Sequence, residues 1–409
     1  MKSADSPAPV MIVVPCFGYG GLEQVVLHLA RGLDRGRFTP SVCSLLPPEP
    51  PLLEELLSTG VPCHVLDKGA GVNPVLPLRL ARLMRREGIR LVNSHDVGAT
   101  IYAAPAARLA GVRHVVHTDH SQILALKKRL WLFRGLLRGW TSFSVTVSHE
   151  LERHLVERLG VAPRAVATVP NAVDTERFAA GGDAAGLRRE LGLPPDAVVV
   201  GSIGRLTEQK GYAHLLRAFA SLAASRPLLR LVITGTGELR GDLEREARAA
   251  GIAGRVIFTG VRRDVPTLLA LFDVFVLPSL WEGQPITLME AMAAGRPIVA
   301  TDVGDNARIL GAAGTRDGVA PPPGGYLAGE RGLLVPSGDA AALAAAVGRL
   351  ADDRGLASSL GARAAAHARG EFDVAAMVRR YEAVYESVLA GSARRSGRGS
   401  GGGPPGEET

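Results

Sequence analysis

Two basic residues lie near the two ends of a short loop that is bounded by glycines, in the second half of the sequence. The segment GRLTEQKG at 204–211 follows an apolar run at 198–203 and opens a predicted helix that begins near Lys210. Backbone N–H groups at the start of a helix attract phosphate, and neighbouring cations strengthen that attraction. Arg205 and Lys210 are therefore candidates for binding one anion from the loop and the first helical turn. The alternative is a pair of solvated surface cations.

Two glutamates separated by seven residues lie in the segment WEGQPITLME at 281–290, which follows a predicted strand at 274–278. Glu282 is expected in the loop and Glu290 in the first turn of the next helix. One interpretation is structural: Thr287 and Glu290 match a capping box, whose glutamate accepts a hydrogen bond from a backbone N–H group. The functional interpretation makes Glu290 a bidentate acceptor for ribose hydroxyls and Glu282 a partner of a sugar.

Taken together, these two segments resemble the large retaining glycosyltransferase family 4, whose members have the GT-B fold. Further matching segments follow in the family's order along nearly the whole chain. They are GYGGLE (18–23), VPNAVD (169–174), TGTGE (234–238), FTGVRRDV (258–265), DVFVLPS (273–279), EAMAAGRPIVATDVG (290–304) and LLVPSGD (333–339). The resemblance implies an α/β protein with two Rossmann-like, doubly wound domains that face a central cleft.

The resemblance also implies a set of residues that bind the sugar donor. The set is Gly20, Gly21, Arg205, Lys210, Glu282, Gly283, Gln284, Pro285, Ile286 and Glu290. Its two cations would bind the diphosphate and Glu290 the ribose, while Glu282 and the backbone up to Ile286 would face the transferred sugar or the phosphates. The two early glycines would let the first loop approach the donor. An ordinary tight turn after a strand explains those glycines equally well.

A histidine in the first half of the chain completes the implied catalytic set. The triplet Thr118-Asp119-His120 resembles the family's Thr-x-His at a strand end, so His120 would contact the sugar or the reacting centre. Rival residues near predicted strand ends are His95, Asp96 and His117. A histidine at such a position is often structural. The implied catalytic residues are Glu282, His120, Arg205 and Lys210.

The chain departs from the family pattern at three places. Ala172 stands where the family usually has Gly, and Glu238 where it usually has Pro. The segment GDNAR at 304–308 replaces the common Gly-Gly-x-Pro-Glu. These differences bear on the subfamily and on the identity of the donor, and they leave the fold prediction unchanged.

A basic amphipathic segment, KKRLWLFRGLLRGW at 127–140, has two interpretations. Its apolar residues at helical spacing are Leu126, Leu130, Phe133, Leu137 and Trp140, and its basic residues include Lys127, Lys128, Arg134 and Arg138. A helix of this kind can lie on an anionic membrane. Alternatively, its apolar face packs on the sheet of the first domain.

Length and composition limit the classes of protein to consider. The chain has 409 residues, of which 46% are hydrophobic, which is enough for two domains with separate cores. Its net charge of +7 favours anionic partners without choosing among them. Three scattered cysteines argue against a disulfide framework and a structural zinc site, and they indicate a reducing compartment. We find neither a signal peptide nor a run of about 18 apolar residues that could span a membrane.

Apolar runs that alternate with helical periodicity predict βα units on parallel sheets in both halves. We expect a disordered N-terminus at 1–9, a first, acceptor-binding domain at 10–178 and a Gly-rich linker at 179–186. A second, donor-binding domain at 187–372 would follow. A helix at 373–390 would then cross back onto the first domain, before a disordered tail at 391–409.

The resemblance thus implies a retaining hexosyltransferase that uses a UDP- or GDP-sugar and a glycan, lipid-linked or small-molecule acceptor. No Asp-x-Asp triplet occurs, so we expect no cofactor and no divalent metal. We expect no nucleic-acid partner, and a cytoplasmic location, either free or peripheral on the inner face of the membrane through 127–140. Two alternatives stay open, a GT-B nucleotide-sugar epimerase and a catalytically inactive sugar-nucleotide-binding module.

Overall fold

The computed structural model describes residues 6–18, 21–48, 52–120, 130–315, 318–322 and 324–396. The chain divides into two compact units. The first comprises Met1–Val169 and Met377–Thr409, and the second comprises Pro170–Ala376. Each unit is built around its own seven-stranded sheet, so the prediction of two α/β domains is confirmed.

The first unit has a sheet in which every strand pairing is parallel, in the order β3-β2-β1-β4-β5-β6-β7. Its strands are β1 (Ala8–Val14), β2 (Phe38–Ser44), β3 (Cys63–Val65), β4 (Leu91–His95), β5 (His114–Asp119), β6 (Phe143–Thr146) and β7 (Val166–Thr168). Its helices are α1 (Gly21–Gly32), α2 (Leu52–Ser58), α3 (Leu76–Arg86), α4 (Asp96–Ala110), α5 (Leu130–Trp140) and α6 (His149–Glu157). Five consecutive residues of β1, from Val10 to Val14, are fully buried, as expected for a central parallel strand.

The second unit repeats this architecture, with strand order β10-β9-β8-β11-β12-β14-β13 and one antiparallel pairing, between β13 and β14. Its strands are β8 (Val198–Ile203), β9 (Leu229–Thr234), β10 (Val256–Gly260), β11 (Val274–Leu277), β12 (Ile298–Thr301), β13 (Leu327–Ala328) and β14 (Leu333–Val335). Its helices are α7 (Thr175–Ala180), α8 (Ala184–Glu190), α9 (Tyr212–Ala223), α10 (Arg240–Ala249), α11 (Val265–Leu271), α12 (Ile286–Ala293), α13 (Asn306–Leu310), α14 (Ala340–Asp352) and α15 (Arg354–Glu371).

The last helix, α16 (Val374–Ser396), belongs to the first unit from Met377 onward. Val378 of α16 packs against Gly32 at the end of α1. A Cβ on residue 32 would lie 2.7 Å from Val378 Cγ2, so the glycine allows α1 and α16 to approach this closely. Asn93 Nδ2 donates a 2.7 Å hydrogen bond to the buried hydroxyl of Tyr385, which ties the helix to β4. Arg37 pairs with Glu382 at 2.9 Å. The helix is therefore part of the core of the first unit.

Several predicted boundaries differ from the structure. The segment 179–186, predicted as a linker, lies inside the second unit, and the division of the chain falls after Val169. Helices α7 and α8 cover most of it because Asp174 and Asp183 accept hydrogen bonds from backbone N–H groups at their first turns. Strand β1 begins within the segment 1–9 that was predicted to be disordered, and α16 continues through 391–396.

Both sheets reverse their strand order beside a central strand, between β1 and β4 and between β8 and β11. Ligands of doubly wound folds bind outside the carboxyl ends of the strands at such a reversal. The predicted site residues Arg205, Lys210 and Glu282 follow β8 and β11, and Asp96 follows β4. The topology therefore places these candidates where each unit is expected to bind a ligand.

One contact in the core of the second unit gives a test of this fold. A Cβ on Gly201 in β8 would lie 2.1 Å from the ring of Phe272, which is fully buried. We expect Gly201→Ala to destabilise the unit by about 1–3 kcal/mol because the ring must move. The measurement is the thermal unfolding midpoint followed by circular dichroism.

The matched control is Gly254→Ala, because a Cβ at that position meets no atom within 4 Å. Adding Phe272→Leu to Gly201→Ala should restore part of the lost stability. An unchanged midpoint for Gly201→Ala would contradict the packing described here.

Candidate active site

The loop after β8 ends in a short 3-10 turn, Glu208–Lys210, and not in the helix that was predicted to start near Lys210. Helix α9 begins two residues later, at Tyr212, after Gly211 with φ +64°. A Cβ on Gly211 would lie 2.1 Å from the carbonyl oxygen of Pro278, in the loop after β11. Residue 211 must therefore be glycine for both its backbone conformation and this close approach.

The structure brings two of the predicted charged residues into direct contact. Lys210 Nζ lies 2.5 Å from Glu282 Oε1, with exposed side-chain fractions of 14% and 7%. Ser279 Oγ donates a second hydrogen bond of 2.7 Å to the same oxygen. An ammonium group has three donors, so Lys210 keeps capacity for an anionic ligand. Ser279 was missed as a site residue, although it ends the segment DVFVLPS quoted for the resemblance.

Arg205 stands apart from this pair. Its side chain is exposed, and it makes no hydrogen bond or ion pair with any residue that the structure describes. The predicted convergence of Arg205 and Lys210 on one anion is therefore not visible as a contact, and it stays a prediction. A guanidinium without a protein partner is free to bind a phosphate in bidentate geometry.

Glycines let four loops at the carboxyl edge of the second sheet touch through their backbones. A Cβ on Gly235, at φ +138°, would lie 2.0 Å from the carbonyl oxygen of Gly204. A Cβ on Gly237 would lie 2.3 Å from the carbonyl oxygen of Leu206, and one on Gly304 2.6 Å from that of Glu282. The loops after β8, β9, β11 and β12 are thus fixed against one another by contacts that admit no side chain.

The segment after Glu282 is held by Asn171. Gln284 is buried, and its Oε1 atom accepts a 2.6 Å hydrogen bond from the backbone N–H of Asn171. Asn171 Nδ2 donates in return to the carbonyl oxygen of Gln284 at 3.2 Å. Gly283 precedes this contact, Pro285 is the N-cap of α12 and Ile286 its first residue. Asn171 was missed as a positioning residue, although it lies in the quoted segment VPNAVD.

Glu290 is the fifth residue of α12, not part of its first turn. The N-cap is Pro285 without a side-chain cap, so the capping-box interpretation is wrong, and Thr287 Oγ1 is buried without a partner in the described structure. The Glu290 carboxylate likewise has no hydrogen bond or ion pair within the described ranges. Burial raises its pKa to about 7, opposed by the charge of Arg177. This carboxylate is therefore available to a ligand.

In the first unit, the structure joins His120 to one of its rivals. His95 Nδ1 lies 2.9 Å from His120 Nε2, and the two rings stack with centroids 5.2 Å apart. The parallel register, which pairs His95 with Thr118, explains this proximity. Burial lowers the pKa of His120 to about 3, so its ring is neutral at physiological pH. His117 is held separately, with Nδ1 2.7 Å from Thr100 Oγ1, and burial also lowers its pKa to about 3.

Asp96 is the most unusual of the rivals. It is a buried non-glycine residue with φ +75°, directly after β4. Burial raises its pKa to about 6, the hydrogen bond from Val97 N–H opposes the rise, and Glu23 adds to it. Strained backbone of this kind is concentrated at functional sites. The sequence signal was an aspartate immediately after a strand, but the strain itself was not predictable.

Some predicted residues cannot be compared with the structure. Gly20, Lys127 and Lys128 lie outside the described residues, while Gly21 is the first residue of α1. In α5, Leu137 is buried in a core cluster with Val97 and Leu155, and Trp140 is 40% exposed. Leu137 therefore packs into the core of the first unit, as the second interpretation of the segment 127–140 predicts. No helix in the described part of the chain is long and apolar enough to span a membrane.

The fold and the site together define a class of protein. Two α/β units, each with a largely parallel seven-stranded sheet, and the charged loops at the carboxyl edge of the second sheet fit a GT-B glycosyltransferase. A crystal structure of Anabaena Alr3699/HepE in complex with UDP has a TM-score of 0.79 at 20% identity, covering 93% of this chain and 100% of that one. The structural likeness confirms the two-domain GT-B fold.

Sequence comparison gives the family. Residues 19–177 match the model described as Glycosyltransferase Family 4, and residues 197–353 match Glycosyl transferases group 1. EpsF of Bacillus subtilis (strain 168), whose name describes a glycosyltransferase, is 31% identical over 307 residues, covering 73% of this chain and 80% of EpsF. The UDP-Gal:alpha-D-GlcNAc-diphosphoundecaprenol alpha-1,3-galactosyltransferase of Escherichia coli is 32% identical over 241 residues, covering 56% and 62%. The chain belongs to glycosyltransferase family 4 and is a transferase.

The raised pKa of Glu290 gives a pH-dependent prediction. Its pKa is 4.5 without burial and about 7 in the folded chain. The folded state therefore binds the proton more tightly, and the stability of the protein falls as pH rises from about 4.5 through 7, by up to about 3 kcal/mol. Glu290→Gln should remove this loss. The difference in unfolding midpoint between Glu290→Gln and wild type should grow from pH 5 to pH 8.

The exposed Glu208 provides the control, because Glu208→Gln should change the midpoint equally at both pH values. A pH-independent difference for Glu290→Gln would show that the Glu290 carboxyl titrates as an ordinary exposed group.

Proposed function

We propose that this chain is a retaining hexosyltransferase that takes a UDP- or GDP-sugar as donor. The acceptor is a glycan, a lipid-linked sugar or a small molecule, in the assembly of a cell-surface polysaccharide or glycolipid. The observation that carries the proposal is the arrangement of charges at the strand reversal of the second sheet. A Lys210–Glu282 pair lies there in loops fixed by glycines, and two further charged groups, Arg205 and Glu290, have no partner among the described residues.

The cations suit the diphosphate of such a donor. Departure of a nucleoside diphosphate concentrates negative charge on its leaving oxygens, and fixed cations stabilise that charge. Lys210 is held by Glu282 with donors to spare, and Arg205 offers a planar fork. We propose that both contact the diphosphate and that catalysis needs no divalent metal.

The carboxylates suit the sugars. Hydrogen bonds from two ribose hydroxyls would favour the ionised form of Glu290 and so offset its burial. Glu282 uses Oε1 for Lys210 and Ser279, which leaves Oε2 for a hydroxyl of the transferred sugar. We propose that His120, neutral and positioned by His95, contacts the sugar or the reacting centre, as the family resemblance implies. The leaving phosphate would deprotonate the acceptor hydroxyl on the same face, which gives retention.

The comparisons support a nucleotide-sugar donor and a lipid-linked acceptor for relatives of this chain. The Escherichia coli relative is named for UDP-Gal and for a diphosphoundecaprenol-linked acceptor. The HepE structures contain UDP or UDP-glucose. We extend both properties to this chain, with UDP ahead of GDP. None of the three cysteines, all of which lie in the described part of the chain, forms a disulfide, which supports a cytoplasmic location.

The two glutamates have separable roles that kinetics can distinguish. Glu290→Gln should mainly raise the KM for the donor, because a neutral amide accepts ribose hydrogen bonds less strongly. Glu282→Gln should mainly lower kcat, because it also loosens Lys210. The measurement is nucleotide release from a panel of UDP- and GDP-sugars with and without acceptor, with Glu208→Gln as the control. Near-wild-type kinetics for both variants would contradict the assignment, and nucleotide release independent of acceptor would favour the epimerase.

Metal independence is tested with the same assay in excess EDTA, where turnover should persist. Removing either cation should cost on the order of 10- to 100-fold in rate, the worth of a charge-assisted hydrogen bond. Arg205→Lys should recover little, because lysine lacks the planar fork. Arg217→Ala, an exposed cation on α9, is the control. Activity abolished by EDTA and restored by magnesium would overturn the metal-free mechanism.

A further inference from the structure

A cavity of about 750 Å³ opens at the amino ends of the strands in the first unit. It lies beside the starts of β5 and β6, the end of α5 and one face of α16. The described residues that line it are Arg113, His114, Arg138, Gly139, Thr141, Ser142, Phe143, Arg164, Ser387, Val388 and Gly391. His120 follows the opposite end of β5, about 20 Å away along a six-residue strand. The cavity is therefore separate from the candidate active site.

Three exposed arginines line this cavity, and none of them has a counter-ion among the described residues. Arg113 precedes β5, Arg138 lies in the last turn of α5 and Arg164 lies in the 3-10 turn Pro163–Ala165. None of the three side chains has an ion pair or hydrogen bond with a described residue, and none of the described lining residues is Asp or Glu. Like charges brought together in this way repel one another until an anion binds.

The positive potential is evident at His114, which also lines the cavity. Its pKa is lowered by burial and further by the charges of Arg90 and Arg113. Two hydroxyls lie on the short connection between α5 and β6, and both already donate to backbone carbonyl oxygens: Ser142 Oγ to that of Arg113 at 3.0 Å, and Thr141 Oγ1 to that of Leu137. The donors left for a ligand are therefore the guanidinium forks, which bind phosphate oxygens in bidentate geometry.

A second cavity of about 200 Å³ shares Arg138, Thr141, Ser142 and Phe143 with the first. Its remaining lining is mostly apolar and includes Leu137, Val161, Ala162 and Ala165. A ligand with a phosphate in the cationic part could thus place a small apolar group beside it.

We propose that the arginine cavity, lined by Arg113, Arg138 and Arg164, binds a phosphate ester through its anionic oxygens, independently of the sugar donor. The ester is either the headgroup of an anionic lipid or a soluble phosphate. Both present the same charged oxygens to the arginines, and the experiment distinguishes them.

The first arm titrates inorganic pyrophosphate by calorimetry into the full-length protein carrying Arg205→Ala, so that the proposed diphosphate site of the second unit is weakened in every sample. The second arm measures sedimentation with phosphatidylglycerol vesicles against phosphatidylcholine vesicles. The test variant combines Arg113→Gln, Arg138→Gln and Arg164→Gln. The control combines Arg108→Gln, Arg153→Gln and Arg158→Gln, exposed arginines of the same unit that remove the same charge. We expect at least a tenfold loss of affinity in the test variant and less than a twofold change in the control.

A steric variant tests the cavity without altering charge. Gly139 lines the cavity, and a Cβ there meets no atom within 4 Å, so Gly139→Leu should fold while filling the space. It should weaken binding as strongly as the arginine variant, and Gly370→Leu, an exposed helical glycine of the other unit, should not. Arg205→Ala separates this site from the donor site, because it should leave binding at the cavity intact.

A response to pyrophosphate assigns a soluble phosphate, and a response to phosphatidylglycerol vesicles alone assigns a lipid headgroup. The proposal is overturned if neither probe binds, or if the control arginine variant loses as much affinity as the test variant. It is also overturned if Gly139→Leu, folded by circular dichroism, binds both probes like wild type. Failure of the donor-site assay would leave these outcomes unaffected.

Discussion

The chemistry of the second unit depends on how closely its loops approach one another at the carboxyl edge of the sheet. A β carbon at Gly211 would collide with the carbonyl oxygen of Pro278 at 2.1 Å, and one at Gly235 with that of Gly204 at 2.0 Å. At both positions φ is positive, so a side chain would be strained even with space around it. These contacts fix the backbone positions from which the side chains of Lys210 and Glu282 extend. The ion pair between them is a consequence of that packing.

The pair itself costs desolvation energy, because both side chains are largely buried. Its worth to the fold is therefore limited, and removing one partner leaves the other charge poorly solvated. Glu290 lies eight positions after Glu282, on α12, and has no hydrogen-bond or ion-pair partner in the described structure. Its raised pKa reflects the desolvation energy of a buried carboxylate that no partner offsets. Buried charged groups that lack full compensation gain the most free energy when a ligand pairs with them. The cluster is therefore better suited to binding a ligand than to stabilising the fold.

The fold, and the positions of Lys210 and Glu282 after its strands, were predictable because they depend on local patterns. Strand β8 has the bounds of the apolar run at 198–203, and Lys210 and Glu282 lie together after β8 and β11. What failed were inferences from short composition signals. The glycines of 179–186 suggested a linker, whereas Asp174 and Asp183 cap two helices there. Thr287 and Glu290 matched a capping box whose helix begins one residue before Thr287, at Ile286.

Properties that arise only from three-dimensional packing were out of reach of the sequence. The stacking of His95 on His120 needs the β4–β5 register, and the low pKa of His120 needs burial. In the first unit, burial keeps His120 neutral, and Asp96, whose pKa is raised to about 6, stays mostly ionised at physiological pH. In the second unit, Lys210 and Glu282 form an ion pair and Arg205 is exposed. Neutral imidazoles beside one carboxylate suit a hydroxyl-rich ligand, and an edge that carries Lys210 and Arg205 suits a diphosphate. The two sheets therefore present different chemistry because the loops at their carboxyl edges carry different groups.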